Sequence, residues 1–160
     1  MVFIQKIPFG KGVNKTKFEL AMKKLAVKKK APLDLTSDAY EYNTQNKFWE
    51  YQDTTGLEFT RMRTSVEAYF PKLIVHVPNE EYIKHYQIRL CWMTATAILF
   101  LIFIIPLLIW GIAANASDQF AFMAMCAAGI GYLLYIFAEL YFTKRDIEIA
   151  IRNSSESTEL

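Results

Sequence analysis

Two cysteines and two histidines are the only thiols and imidazoles in this 160-residue sequence. Cys91 and Cys126 stand 35 positions apart, and His76 and His85 are isolated, one in a candidate strand and one in a candidate helix beside the membrane. No HExxH, CxxC, Gly-rich phosphate loop or GxSxG elbow occurs, so no motif nominates a catalytic, metal or cofactor site. The two cysteines read as packing residues, not as a disulfide or a metal pair. No cofactor is expected. Charge is missing from one long stretch: Leu90 to Ser117 holds no Asp, Glu, Lys or Arg. Only Asp118 and Glu139 carry charge between Arg89 and Lys144. A soluble domain does not leave that much chain uncharged, and 15% aromatic residues exclude intrinsic disorder as the main state.

What is present fits a small membrane protein. The chain is 53% hydrophobic with net charge +2, and its charge is unevenly placed. Of 18 Lys and Arg, 15 fall in the first 89 residues. Leu90 to Ala114 gives 25 residues without a charge, and about 20 suffice to cross a bilayer core. Pro106 lies inside this run and removes one backbone hydrogen bond, which bends the helix locally. A second apolar run, Gln119 to Thr143, has Glu139 as its one charge. The short linker between them carries no Lys or Arg, so the two runs form a helical hairpin over 90–143. Lys144, Arg145 and Arg152 follow it. The excess of Lys and Arg marks the cytoplasmic flank. Both termini are therefore expected in the cytoplasm and the linker outside, most simply in a bacterial cytoplasmic membrane. Met1 to Val13 has no unbroken apolar core, so no cleavable signal is expected.

Residues 1–89 make one small cytoplasmic domain. Thr16 to Lys30 reads as a basic amphipathic helix, with Phe18, Met22 and Leu25 on one face and Pro32 as its stop. Lys23, Lys24, Lys28, Lys29 and Lys30 are its candidate contacts to anionic lipid; the alternative is a solvated face on its own domain. Phe48, Trp49 and Tyr51, then Asp53-Thr54-Thr55-Gly56, then Leu57 and Phe59 read as strand, turn, strand. Leu73 to Val77, bracketed by Pro71 and Pro78, is a third strand, giving a small sheet over 47–77. From Glu80 a helix capped by Asn79 is expected to run without a break into the first span. Residues 144–160 are expected to be a polar cytoplasmic tail, disordered from Asn153. The fold class is thus an α+β membrane protein: a two-helix transmembrane hairpin preceded by a small cytoplasmic domain with a basic helix and a short β-hairpin or three-stranded sheet.

Glu139 is the most informative single residue, because an ionisable group within a span is costly and faces protein or water. Near the cytoplasmic end it can pair with Lys144 or Arg145. Alternatively, with Tyr132 and Tyr135 at helical spacing, it forms a polar face or partner contact. Ala124, Ala127, Ala128 and Gly131 are small residues that permit close helix packing, in the hairpin or in an oligomer. Together these features suggest a non-catalytic membrane subunit scaffolding a larger assembly of secretion, conjugation or transport type. Membrane lipids and a protein partner or second copy are its expected contacts, and no nucleic acid is expected. Two rival readings are a self-assembling pore or membrane-disrupting effector gated by its cytoplasmic domain, with Tyr132, Tyr135 and Glu139 lining the pathway, and a membrane enzyme using His76 or His85.

Overall fold

The structure is a computed structural model. It describes residues 3–10, 13–34, 46–63, 67, 71–80, 82–113 and 119–156. Its elements are β1 (Phe3–Pro8), α1 (Lys15–Lys24), β2 (Ala26–Lys28), β3 (Phe48–Asp53), β4 (Gly56–Arg61), β5 (Leu73–Pro78), β6 (His85–Leu90), α2 (Trp92–Ala113) and α3 (Gln119–Glu156). The strands form one mixed sheet of six in the order β1-β6-β5-β4-β3-β2. Only β2 and β3 pair in parallel; the other pairings are antiparallel.

Three of these strands coincide with the expected ones. The β3–β4 hairpin turns at Asp53, whose Oδ1 accepts from the Thr54 N–H at 2.7 Å. Gly56 follows at φ +151°, and a Cβ there would lie 2.2 Å from the Val77 carbonyl oxygen. Close approach of β5 therefore demands glycine at this position. β5 fills the interval between Pro71 and Pro78, with Leu73 through Val77 buried.

Alternation along the strands sorts side chains onto two faces. Phe48, Leu57, Phe59, Leu73, Val75, Val77, Tyr86 and Ile88 meet α1 and the C-terminal half of α3 in the main core. α1 starts at Asn14, whose side chain accepts from the Lys17 N–H, and it buries Phe18, Ala21 and Met22. Full burial of a side chain the size of Phe18 or Met22 stabilises the domain by about 1.5–3 kcal/mol. The opposite face carries a smaller cluster of Leu33, Trp49, Ile74 and Cys91.

Four expectations are corrected. The helix expected over 16–30 ends at Lys24, and Ala26–Lys28 becomes β2. There the Leu25 carbonyl accepts from the Lys47 and Phe48 N–H groups, so pairing with β3 replaces the last helical turns. The helix expected from Glu80 is instead β6. His85 to Leu90 also alternates, with Tyr86 and Ile88 in the core, and the free edges of β5 and β1 supply its hydrogen bonds. The polar tail over 144–160 is, through Glu156, the continuation of α3; Ile147 and Ala150 are buried against the sheet. Lastly, the sheet has six strands, because β1, β2 and β6 join the expected three.

Among the described residues one helix segment, Cys126–Ser154, is long and apolar enough to cross a membrane. Only 17% of its most apolar window is buried, unlike the core helix of a soluble protein. A pair of spanning helices is not itself established by this. α2 is a 22-residue apolar helix that touches α3, and residues 114–118 between them lie outside the described residues.

Candidate functional site

Strand register brings one end of each inner strand to the sheet edge from which α2 departs. Leu90 is opposite Leu73, Thr60 Oγ1 donates to the Leu73 carbonyl, and Arg61 is opposite Phe48. That edge is rich in cations: Lys47, Arg61, Arg63, Lys72 and Arg89. Two of them build buried charge clusters, one on each face of the sheet, and each cluster holds the root of one apolar helix.

On the helix-covered face, Arg61 grips Glu139 of α3 with two parallel bonds, Nη2 to Oε2 at 2.7 Å and Nε to Oε1 at 3.2 Å. Arg61 Nη1 donates to Glu67 Oε1 at 3.1 Å. Arg61 is 6% exposed and Glu139 1%. Two-pronged geometry of this kind is available to guanidinium alone. Burial opposes the charge on Arg61, but Glu139 and Glu67 outweigh it and raise its pKa above the ordinary arginine value. Two guanidinium groups approach the Phe142 ring, Arg61 at 5.4 Å and Arg145 at 5.2 Å from its centroid, each within cation–π range.

On the opposite face, Arg89 joins two acids. Its Nη2 and Nε donate to Glu58 Oε1 at 2.6 and 3.2 Å. Its Nη1 and Nη2 donate to Asp34 Oδ1 and Oδ2 at 3.1 and 2.8 Å. Asp34 Oδ1 also accepts from the Trp92 N–H at 2.8 Å, so a residue 58 positions upstream satisfies the first amide of α2. Thr94 completes the root: its Oγ1 accepts from the Lys72 N–H at 3.0 Å, while the Cys91 N–H donates to the Lys72 carbonyl at 3.0 Å. His76 Nδ1 stands 3.6 Å from Glu58 Oε1.

Burial opposes the charge on Asp34, yet Arg89 and the Trp92 amide hold its pKa below the ordinary value of 3.8. Burial likewise opposes Glu58, yet His76 and Arg89 hold it below 4.5. Both shifts are downward on folding. Each carboxylate therefore contributes stability that is fully present above its unfolded pKa and is lost as pH falls through the lower folded value. Thermal stability followed by tryptophan fluorescence should be flat down to about pH 5 and fall steeply below about pH 4. Glu58→Gln should flatten that acid limb; an unchanged limb would show that the cluster is not its source.

The residues singled out from sequence are dispersed. Glu139 pairs with Arg61, not with Lys144 or Arg145: Lys144 Nζ donates to Gln5 Oε1 at 2.8 Å, and Arg145 reaches Asp146 at 3.5 Å. Tyr132 sits beside Thr94 of α2, and Tyr135 is 47% exposed. Ala127 and Ala128 are exposed, and a Cβ at Gly131 would meet nothing within 4 Å; the side chain of Ala124 lies outside the described residues. Lys23 and Lys24 end α1, Lys28 and Lys30 are exposed, and Lys29 Nζ lies 4.1 Å from the centroid of the Trp49 ring. His76 is buried and His85 half-buried. Among the described residues no group of three His, Cys, Asp or Glu is placed to hold a metal ion. Asp34, Glu58, Arg61 and Arg89 had not been singled out. A sequence signal existed for three of them: Glu58 and Arg61 flank Phe59 in the segment GLEFTR, and Arg89 stands between Ile88 and Leu90 in HYQIRL.

Compared with known proteins, the chain matches no family model, no curated protein and no solved structure.

Proposed function

We propose that this chain is a non-catalytic membrane subunit. In this reading α2 and α3 cross the membrane as a hairpin, and the sheet domain and both termini lie on the cytoplasmic side, where a protein partner of a larger assembly docks. The single observation that carries it is the rigid root. Both apolar helices are fixed to opposite faces of the sheet, through Arg61–Glu139 and through Arg89–Asp34 with the Trp92 amide. Anchorage alone needs only a flexible linker. A root fixed on both faces sets the height and rotation of the domain relative to the bilayer, as docking into a larger machine requires. The apolar surface left open agrees with lipid as its surroundings: Leu99, Phe100, Ile102 and Phe103 on α2 and Ile130, Leu133, Leu134 and Phe137 on α3 are all at least half exposed. Trp92 and Tyr141 are exposed at the two roots, as interfacial aromatics are.

Topology is tested by cysteine labelling. In a background without Cys91 and Cys126, Ser117→Cys should react with a membrane-impermeant maleimide added outside intact cells, and Tyr82→Cys should react only after lysis. The reverse pattern would overturn the orientation. Docking is tested by purification in mild detergent with native mass determination. A second copy or a co-purifying protein in fixed ratio is expected, and a clean monomer from native membranes would overturn the subunit reading.

A further inference from the structure

The exposed apolar side chains of the sheet domain also place the bilayer surface, an inference that rests on the spanning hairpin proposed above. α2 is 22 residues long and carries no charge. α3 runs 20 residues, Gln119 to Ala138, before its first charge, Glu139. At about 1.5 Å per residue these lengths come to about 33 and 30 Å, the thickness of a hydrocarbon core. Both stretches end at one level of the domain. Trp92 opens α2 two residues after β6 ends at Leu90, and Glu139 meets Arg61, the last residue of β4, at the same sheet edge. A third segment reaches that level. β1 begins there, with Phe3 opposite Arg89, and Gln5 Oε1 accepts from Lys144 of α3.

Exposed apolar side chains collect at this level. Trp92 and Met93 at the start of α2 and Tyr141 just past Glu139 are each more than half exposed, and Ile4 of β1 is 39% exposed. The register of β1 shifts between Phe3 and Gln5, which takes Ile4 out of the regular alternation. Elsewhere among the described residues of the sheet domain, only Leu20 and Tyr82 are large, apolar and exposed.

We propose that the α2 edge of the sheet rests directly on the bilayer, with Ile4, Trp92, Met93 and Tyr141 seated among phospholipid headgroups and the upper ends of the acyl chains. Tryptophan and tyrosine favour that zone, where an apolar ring and a polar tip are both accommodated. A protein partner is the other candidate for an exposed apolar group, and the layout disfavours it. The four residues belong to three elements and to both sides of the sheet: α2 is rooted on the face of Arg89, α3 on the face of Arg61. A partner protein seats on a patch to one side, whereas a collar at one level faces a plane. The collar is also continuous with the exposed apolar surface of both spans. The charges at the same level fit this position. Arg61 with Glu139, and Arg89 with Asp34 and Glu58, satisfy one another within the protein, as ionised groups at the edge of hydrocarbon must.

The test reconstitutes the full chain in vesicles of phosphatidylcholine and phosphatidylglycerol that carry lipid spin-labelled either near the headgroup or at the chain end. In a background without Cys91 and Cys126, a fluorophore is attached to Ile4→Cys, with Ile130→Cys in the middle of α3 and Tyr82→Cys at the far end of the sheet as reference sites. The Ile4 site should be quenched severalfold more by the headgroup label than by the chain-end label, Ile130 the reverse, and Tyr82 by neither. Native Trp92, left as the only indole by Trp49→Phe and Trp110→Phe, should follow Ile4 without any added probe. If Ile130 responds to the chain-end label while Ile4 is quenched no more than Tyr82, the domain stands off the bilayer: the seating is overturned and the spanning hairpin stands. Deep quenching of Trp92, equal to that of Ile130, would also overturn the seating, because the bilayer surface would then lie below the α2 edge. No quenching at Ile130 by either label would remove the hairpin and the seating together.

Discussion

Arg61→Ala should destabilise the protein by about 3–5 kcal/mol, the cost of removing one partner from a buried ion pair. The substitution leaves Glu139, 1% exposed, without its two-pronged partner and near Glu67, with only the charge of Arg63 still opposing its burial. At about 2–4 °C per kcal/mol for a chain of this size, the melting midpoint in detergent should drop by about 10 °C. Arg61→Lys should recover only part of the loss, because an ammonium group cannot make two parallel bonds to one carboxylate. The decisive variant is the double replacement Arg61→Met with Glu139→Leu. Burying an ion pair costs desolvation that an apolar pair does not, so the double variant should melt close to the parent. Should Arg61→Ala melt within 1 °C of the parent, the pair does not hold α3 to the sheet. The pairing also bears on the pore reading. A carboxylate bound to Arg61 at 2.7 Å faces the sheet, so Glu139 is not turned toward a conduction path.

Much of the sheet was legible locally. Asp53 to Gly56 announces a hairpin, Pro71 and Pro78 bracket a strand, and Phe18 with Met22 defines the buried face of α1. Each of these is short-range chemistry, in which turn residues, ring constraints or helical spacing act within about ten residues. The failures are long-range. His85 to Leu90 satisfies a helical spacing through Tyr86 and Leu90 and a strand spacing through Tyr86 and Ile88. The choice is made by the backbones of β1 and β5 on either side. β1 exposes Ile4 and Lys6, as an edge strand does, and so lacks a clean alternation. Ile147, Ala150 and Ile151 look like a few apolar residues in a polar tail until the sheet face they cover is known. Glu139 was conspicuous as a charge in an apolar run, but its partner lies 78 positions away. Spacing along one helix could point only to Lys144 and Arg145.

The second large effect is expected at the root of α2, where the order of three variants distinguishes cap from charge. Asp34→Asn keeps an oxygen that can accept from the Trp92 N–H but removes one anion from Arg89, so its cost should be the smallest. Asp34→Ala also removes the cap and should cost about 1–2 kcal/mol more, since the α2 amide then lacks its acceptor. Arg89→Ala should be worst, at about 3–5 kcal/mol, because Glu58 stays buried with its guanidinium gone. Hydrogen exchange at the Trp92 amide should report the difference site by site. Protection should survive in Asp34→Asn, fall sharply in Asp34→Ala, and fall less in Arg89→Ala, which keeps the Asp34 acceptor. Equal protection in all three would mean that Asp34 is not the cap. This order follows from chain path. The segment from Lys29 to Asp34 crosses the open face over Trp49 and Ile74, buries Leu33 among them, and delivers Asp34 to α2. Cutting the Asp34 contact therefore loosens two things together, the cover of the open face and the start of the apolar helix. That shared dependence is the physical sense in which the sheet domain and α2 behave as one body.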